Sequence, residues 1–68
     1  MIHSRLAVLM AERNLKLREL AQRIGIDEVN LSKIKTGKLK ALRLSTLNAL
    51  CRELECQPSD LLIYRPDE

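Results

Sequence analysis

Hydrophobic residues recur at every third or fourth position through most of this chain, which is the period of an amphipathic α-helix. The first such group is Leu6, Leu9 and Met10, and a later one is the leucine-rich run from Leu44 to Leu54. This pattern predicts helices over about residues 4–13, 17–24, 28–36 and 44–55, and a short fifth helix from 57–58 onward. Residues 63–65 are expected to be extended and 66–68 to form a frayed end.

Two glycines and an aspartate mark the ends of the second and third helices. Gly25 and Gly37 follow the last hydrophobic position of each helix, where glycine adopts a left-handed backbone at little cost. Asp27 precedes the third helix, and its carboxylate can accept hydrogen bonds from the free N–H groups of the first turn. Pro58 suits the first position of the fifth helix, and Ser4 or His3 is the expected cap of the first.

The composition fits one small domain over residues 1–68. With 46% hydrophobic residues and a single aromatic residue, leucine has to fill most of the core. Charged residues interrupt the apolar positions everywhere, so no segment is predicted to cross a membrane, and the short apolar run at the N-terminus is unlike a signal peptide. We therefore expect a cytoplasmic, all-α protein, folded as a compact five-helix bundle.

The potentially reactive side chains are few. The two cysteines, Cys51 and Cys56, and the single histidine, His3, do not supply the four ligands of a zinc site. A disulfide is disfavoured in a reducing compartment, so both cysteines are expected to be small buried hydrophobic residues. We predict no metal, no cofactor and no enzymatic activity, since paired carboxylates and a glycine-rich phosphate loop are also missing.

Positive charge is concentrated in one stretch of the sequence. The net charge of +3 is by itself weak evidence for an anionic partner. Between residues 33 and 43, however, the chain carries five cations and no acid: Lys33, Lys35, Lys38, Lys40 and Arg43. A solvated surface is the usual role of such a run, so its meaning depends on the fold that presents it.

The second and third helices, over about residues 17–36, form the informative unit. Ala21 is small enough for the two helices to cross closely, and Gly25 permits the tight turn between them. Leu31 and Ile34 would hold the second helix of the pair on the body of the domain. This is the helix-turn-helix arrangement, in which the second helix lies in the major groove of DNA.

The segment "LRELAQRIGIDEVNLSKIKTGK" resembles the Cro/repressor-type (xenobiotic-response-element type) helix-turn-helix family. With "CRELECQPSDLLIYRPDE" at its end, the whole chain resembles a branch of small stand-alone bacterial regulators. The resemblance implies a lambda repressor-like domain that binds double-stranded DNA in a sequence-specific way and regulates transcription. A repressor is expected, because little chain remains for polymerase contacts.

The resemblance also implies which residues contact DNA. The base-reading candidates, at and just after the start of helix three, are Glu28, Val29, Asn30, Ser32 and Lys33. The phosphate-binding candidates are Lys16, Lys35, Thr36, Gly37, Lys38, Lys40 and Arg43. If Leu31 and Ile34 face the core, the helical period independently turns positions 29, 32, 33 and 36 outward.

The chemistry of these candidates suits DNA, with two roles left open. Lys33 can donate to guanine O6 and N7, and Val29 can pack on a thymine methyl group. Glu28 is equally suited to the helix dipole and to a cytosine amino group, and Asn30 to a phosphate or an adenine edge. Family members often have a glutamine that contacts the DNA backbone where this chain has Leu17. Leucine cannot donate a hydrogen bond, so that contact is absent.

Assembly and an alternative function complete the expectations. One domain reads few base pairs, so we expect a homodimer on half-sites about 34 Å apart. Its candidate surfaces are residues 1–3, residues 63–65 and the exposed side of helix four, and the two termini are expected to pair as a small two-stranded ribbon, within or between chains. The alternative is an antitoxin-like or other protein-binding module with little DNA affinity.

Overall fold

Five helices and a two-stranded ribbon make up the computed structural model, which describes residues 1–66. In chain order the elements are β1 (Ile2–Ser4), α1 (Leu6–Glu12), α2 (Leu17–Ile24), α3 (Glu28–Thr36), α4 (Leu44–Leu54), α5 (Pro58–Leu61) and β2 (Leu62–Tyr64). The five predicted helices are therefore confirmed. Of the expected frayed end, Pro66 has no regular structure, and residues 67 and 68 lie outside the described residues.

The ribbon corrects the all-α prediction. Its strands pair antiparallel within one chain, in the register Ile2–Tyr64, His3–Ile63 and Ser4–Leu62. A lone two-stranded ribbon is marginal in water, but the Arg5 N–H donates to the Leu61 carbonyl at 2.7 Å and ties the ribbon to α5. The expected pairing of the termini is thus confirmed. Because Ser4 lies in β1, the first helix begins at Leu6 rather than at residue 4.

Leucines from all five helices meet in one core. The largest fully buried side chains are Leu6, Leu20, Leu31, Leu50, Leu54 and Leu61. Each such burial stabilises the fold by about 1.5–3 kcal/mol relative to an exposed side chain. Among the described residues no polar side chain is buried, so burial of leucine, and not a buried polar network, holds the helices together.

The first four helices end in the same backbone turn. Close to the end of each helix one residue adopts a positive φ, and these residues are Asn14, Gly25, Gly37 and Glu55. The N–H of the next residue donates, at 2.9–3.1 Å, to the carbonyl five positions back, which joins the pairs Met10–Leu15, Ala21–Ile26, Lys33–Lys38 and Cys51–Cys56. This is the Schellman motif, which satisfies an otherwise free carbonyl at the helix end and brings the two joined residues together.

The turn at Gly25 provides a test of the backbone conformation alone. Gly25 has a φ of 76°, and no atom lies within 4 Å of the place where a Cβ would stand. Alanine would therefore meet backbone strain of about 1–2 kcal/mol without any clash. We expect Gly25→Ala to lower the free energy of unfolding by that amount, measured by urea denaturation. Gly25→Asn should lose less, because asparagine tolerates this conformation, and equal losses in the two variants would contradict the explanation.

Candidate nucleic-acid interface

α2 and α3 meet across the turn at Gly25 and form the predicted helix-turn-helix pair. The Ala21 carbonyl accepts hydrogen bonds from the N–H groups of Gly25 and Ile26, at 2.9 and 3.1 Å, which sets the direction in which the chain leaves α2. Ala21 is buried, as are Leu31 and Ile34 on the inner side of α3. The outer side of α3 therefore faces solvent.

A side-chain cap starts α3. The Asp27 carboxylate accepts a hydrogen bond from the Asn30 N–H at 2.7 Å, which confirms its predicted role as a cap. The Asn30 side-chain amide donates to the second carboxylate oxygen at 3.3 Å. This contact holds Asn30 on the flank of α3, in a shallow depression that it shares with Ile26 and Arg43. The structure therefore separates Asn30 from the other base-reading candidates.

One open surface collects those other candidates. We call it the α3 face, and its residues are Glu28, Val29, Ser32, Lys33, Thr36 and Lys38. Val29 is 66% exposed, so an apolar, β-branched side chain stands uncovered among polar neighbours. Ser32 is half-buried, whereas Glu28 and Lys33 are exposed. Val29 offers an apolar contact, Lys33 a hydrogen-bond donor and Glu28 an acceptor. These are the groups needed to distinguish base edges in a major groove.

Two lysines lie at the end of the α3 face. The turn after α3 joins Lys33 and Lys38 through a backbone hydrogen bond of 2.9 Å, at the positions that in this motif usually hold an apolar contact. Neither lysine forms an ion pair with any residue between 1 and 66. Both charges are therefore available to an anionic partner at this end of the face. The sequence predicted both lysines but missed their pairing, for which the five-residue spacing across Gly37 is the signal.

The remaining predicted phosphate-binding cations surround the α3 face instead of joining it. Lys40 lies beside β1 in the loop between α3 and α4, and Arg43 directly precedes α4, beside Asn30. Lys16 is at the start of α2, and Lys35 is half-buried on the flank of α3. Across residues 1–66 none of these four cations is in an ion pair, so their charge is available to an anionic partner.

Two predicted phosphate contacts are already used within the chain. The Thr36 hydroxyl donates to the Ser32 carbonyl at 3.0 Å. The Gly37 N–H donates to the Ile34 carbonyl at 3.2 Å. Phosphate oxygens accept hydrogen bonds, so either group would have to release its present partner to bind one. The lysines need no such exchange.

Other kinds of site find little support in the described part of the chain. Residues 1–66 contain no group of three or more histidine, cysteine or acidic side chains placed to hold a metal ion. Over the same residues, every helix is too short or too polar to cross a membrane. Leu17, the position at which family members often have a glutamine, packs against the core.

Comparison with known proteins agrees with this geometry. The uncharacterized HTH-type transcriptional regulator YozG of Bacillus subtilis (strain 168) is 56% identical over 61 residues, which cover 90% of this chain and 73% of that protein. The crystal structure of a candidate DNA-binding protein from Bacteroides fragilis superposes with a TM-score of 0.81 at 27% identity, over 93% of this chain and all (100%) of that one.

The family assignment rests on a match along nearly the whole chain. The sequence profile of the Cro/C1-type HTH DNA-binding domain matches residues 5–67, which include both helices of the pair and the turn at Gly25. The chain therefore belongs to the Cro/C1-type helix-turn-helix DNA-binding domain family.

Proposed function

We propose that this chain is a sequence-specific transcriptional regulator that binds double-stranded DNA with α3 in the major groove. The observation that carries the proposal is the α3 face, where exposed Val29 stands beside Lys33 and Lys38, two cations without an ion pair in the described chain. The name of its relative YozG, a transcriptional regulator, supports the same role.

Within this proposal the residues divide into two groups. Val29, Lys33 and Glu28 read bases, through a thymine methyl group, guanine acceptors and a cytosine amino group respectively. Ser32 lies between them on the same face. The phosphate contacts come from Lys38 at the end of that face and from the cations around it, namely Lys16, Lys35, Lys40 and Arg43. Phosphate contacts supply affinity and position the helix, whereas base contacts supply specificity.

We infer further that the protein acts as a homodimer and as a repressor, without catalysis. One copy has a longest dimension of 36 Å, and a single recognition helix covers only a few base pairs. Two copies on half-sites about 34 Å apart would give a site long enough to be selective. Such a dimer, bound across a promoter, needs no further domain in order to exclude polymerase.

The phosphate contacts are tested by the salt dependence of binding. Replacing Lys38, Lys40 and Arg43 with alanine should weaken binding to every DNA sequence and reduce the slope of log K against log salt by about one unit per lost contact. Arg52→Ala is the matched control, since it removes one cation from the far end of α4. A triple variant with the slope of the control would contradict the assigned contacts.

The base contacts are tested by sequence preference. Val29→Ala and Lys33→Ala should each relax the preference at one position of the site, at a cost of about 1–3 kcal/mol in discrimination. Sites selected from random DNA by each variant provide the measurement. Val8→Ala is the control for Val29, because Val8 is also exposed but lies on α1. If both valine variants select the sequence preferred by the unchanged protein, Val29 does not read a base.

Assembly and the sign of regulation are tested on the selected site. Sedimentation should give two chains per duplex, and a site that overlaps a promoter should lower transcript yield in a purified transcription reaction. One chain per duplex would overturn the homodimer, and a higher yield would overturn the repressor. Absence of any DNA shift at low salt, together with a stoichiometric protein partner, would instead favour the protein-binding module.

A further inference from the structure

Cys51 and Cys56 occupy the two joined positions of the turn that ends α4. The Cys56 N–H donates to the Cys51 carbonyl at 3.1 Å, across Glu55 with its φ of 51°. The bond places the two cysteine side chains on the same turn. Both cysteines are free and only half-buried, so the expectation that they are buried is met only in part.

The same positions at other helix ends show what is unusual here. After α1 and α2 the joined pairs are Met10–Leu15 and Ala21–Ile26, apolar contacts that pack in or against the core. An apolar pair after α4 would close the helix equally well. Cys51 and Cys56 also pack against the core, but in addition they line an open groove together with Leu44, Leu47 and Pro58.

We propose that Cys51 and Cys56 are a modification site, at which the thiols form an intrachain disulfide by exchange with a low-molecular-weight disulfide, RSSR. The Cys51 sulfur loses its proton and attacks one sulfur of RSSR, which breaks that S–S bond and releases RSH. The Cys56 sulfur then attacks the Cys51 sulfur of the mixed disulfide and releases the second RSH. The protein loses two hydrogens and is oxidised, while RSSR gains them and is reduced.

The order of the two steps follows from the surroundings of Cys56. Burial raises the pKa of the Cys56 thiol, and so do the contact with Cys51 and the charge of Asp60, whereas Arg13 lowers it. Compared with an ordinary thiol, less of Cys56 is ionised, so Cys56 suits the second step better than the first. Closure should become faster as the pH rises, because a larger fraction of the thiols is then ionised.

The backbone turn at the end of α4 favours closure. Disulfides join residues whose Cα atoms are about 4.4–6.8 Å apart, and the bond between the Cys56 N–H and the Cys51 carbonyl brings these two backbones together. The Arg13 side chain donates to the Leu54 carbonyl at 2.7 Å in the same turn, which links it to the end of α1. A disulfide would fix this turn covalently and stabilise the junction of α1 with α4.

The experiment uses the full chain in buffers with increasing ratios of oxidised to reduced glutathione, followed by alkylation and intact-mass measurement. We expect the principal oxidised species to have lost two hydrogens and to resist alkylation. It should exceed the glutathionylated species by about tenfold, because a thiol held in the same backbone turn reacts intramolecularly and outcompetes millimolar glutathione. Cys51→Ser and Cys56→Ser should each carry one glutathione and no intrachain bond.

A second measurement keeps the test independent of variant folding. The oxidised unchanged protein should have a higher thermal unfolding midpoint than its reduced form, while the Cys51→Ala/Cys56→Ala double variant should not respond to the oxidant. The proposal is overturned if the unchanged protein stays reduced, if it carries two glutathiones, if it forms only disulfides between chains, or if the midpoint does not rise.

Discussion

A chain of 68 residues with one aromatic residue has to build its core from leucine, and the leucines reach a common centre only if short helices stop sharply and change direction. The left-handed turns after α1, α2, α3 and α4 provide these stops. Each turn satisfies a carbonyl that would otherwise be free, so the small core does not have to compensate for unpaired backbone groups. The arrangement of the helices depends on these turns as much as on buried area.

The sequence predicts this framework unevenly, and the reason is residue identity. Gly25 and Gly37 indicate left-handed turns, because glycine adopts this backbone conformation freely. Asn14 is also of a residue type that tolerates a left-handed backbone, whereas the turn at Glu55 could not be predicted, since a glutamate with positive φ is rare. The ribbon joins residues at opposite ends of the chain, and helical periodicity carries no information about such a contact.

The sequence predicts which side of α3 faces solvent, but not which hydrogen bonds the side chains of the candidate site form. Burial of Leu31 and Ile34 fixes which side of α3 meets solvent, and this follows from the helical period alone. The Asn30 side chain bonds to the Asp27 carboxylate, and the Thr36 hydroxyl bonds to the Ser32 carbonyl. Both bonds depend on side-chain rotamers, which the sequence does not specify. The backbone hydrogen bond between Lys38 and Lys33 could have been predicted, because it follows from their spacing around Gly37.

Exposure of the α3 face has a consequence for how such a protein can diverge. Glu28 and Val29 lie outside the buried core, and neither side chain takes part in a hydrogen bond or ion pair within the described residues. Their replacement therefore changes the free energy of unfolding little, whereas the proposed choice of DNA sequence depends on them directly. Under the proposed contacts, folding and target choice are encoded by almost separate sets of positions, so a lineage of such domains can acquire new binding sites without first becoming less stable.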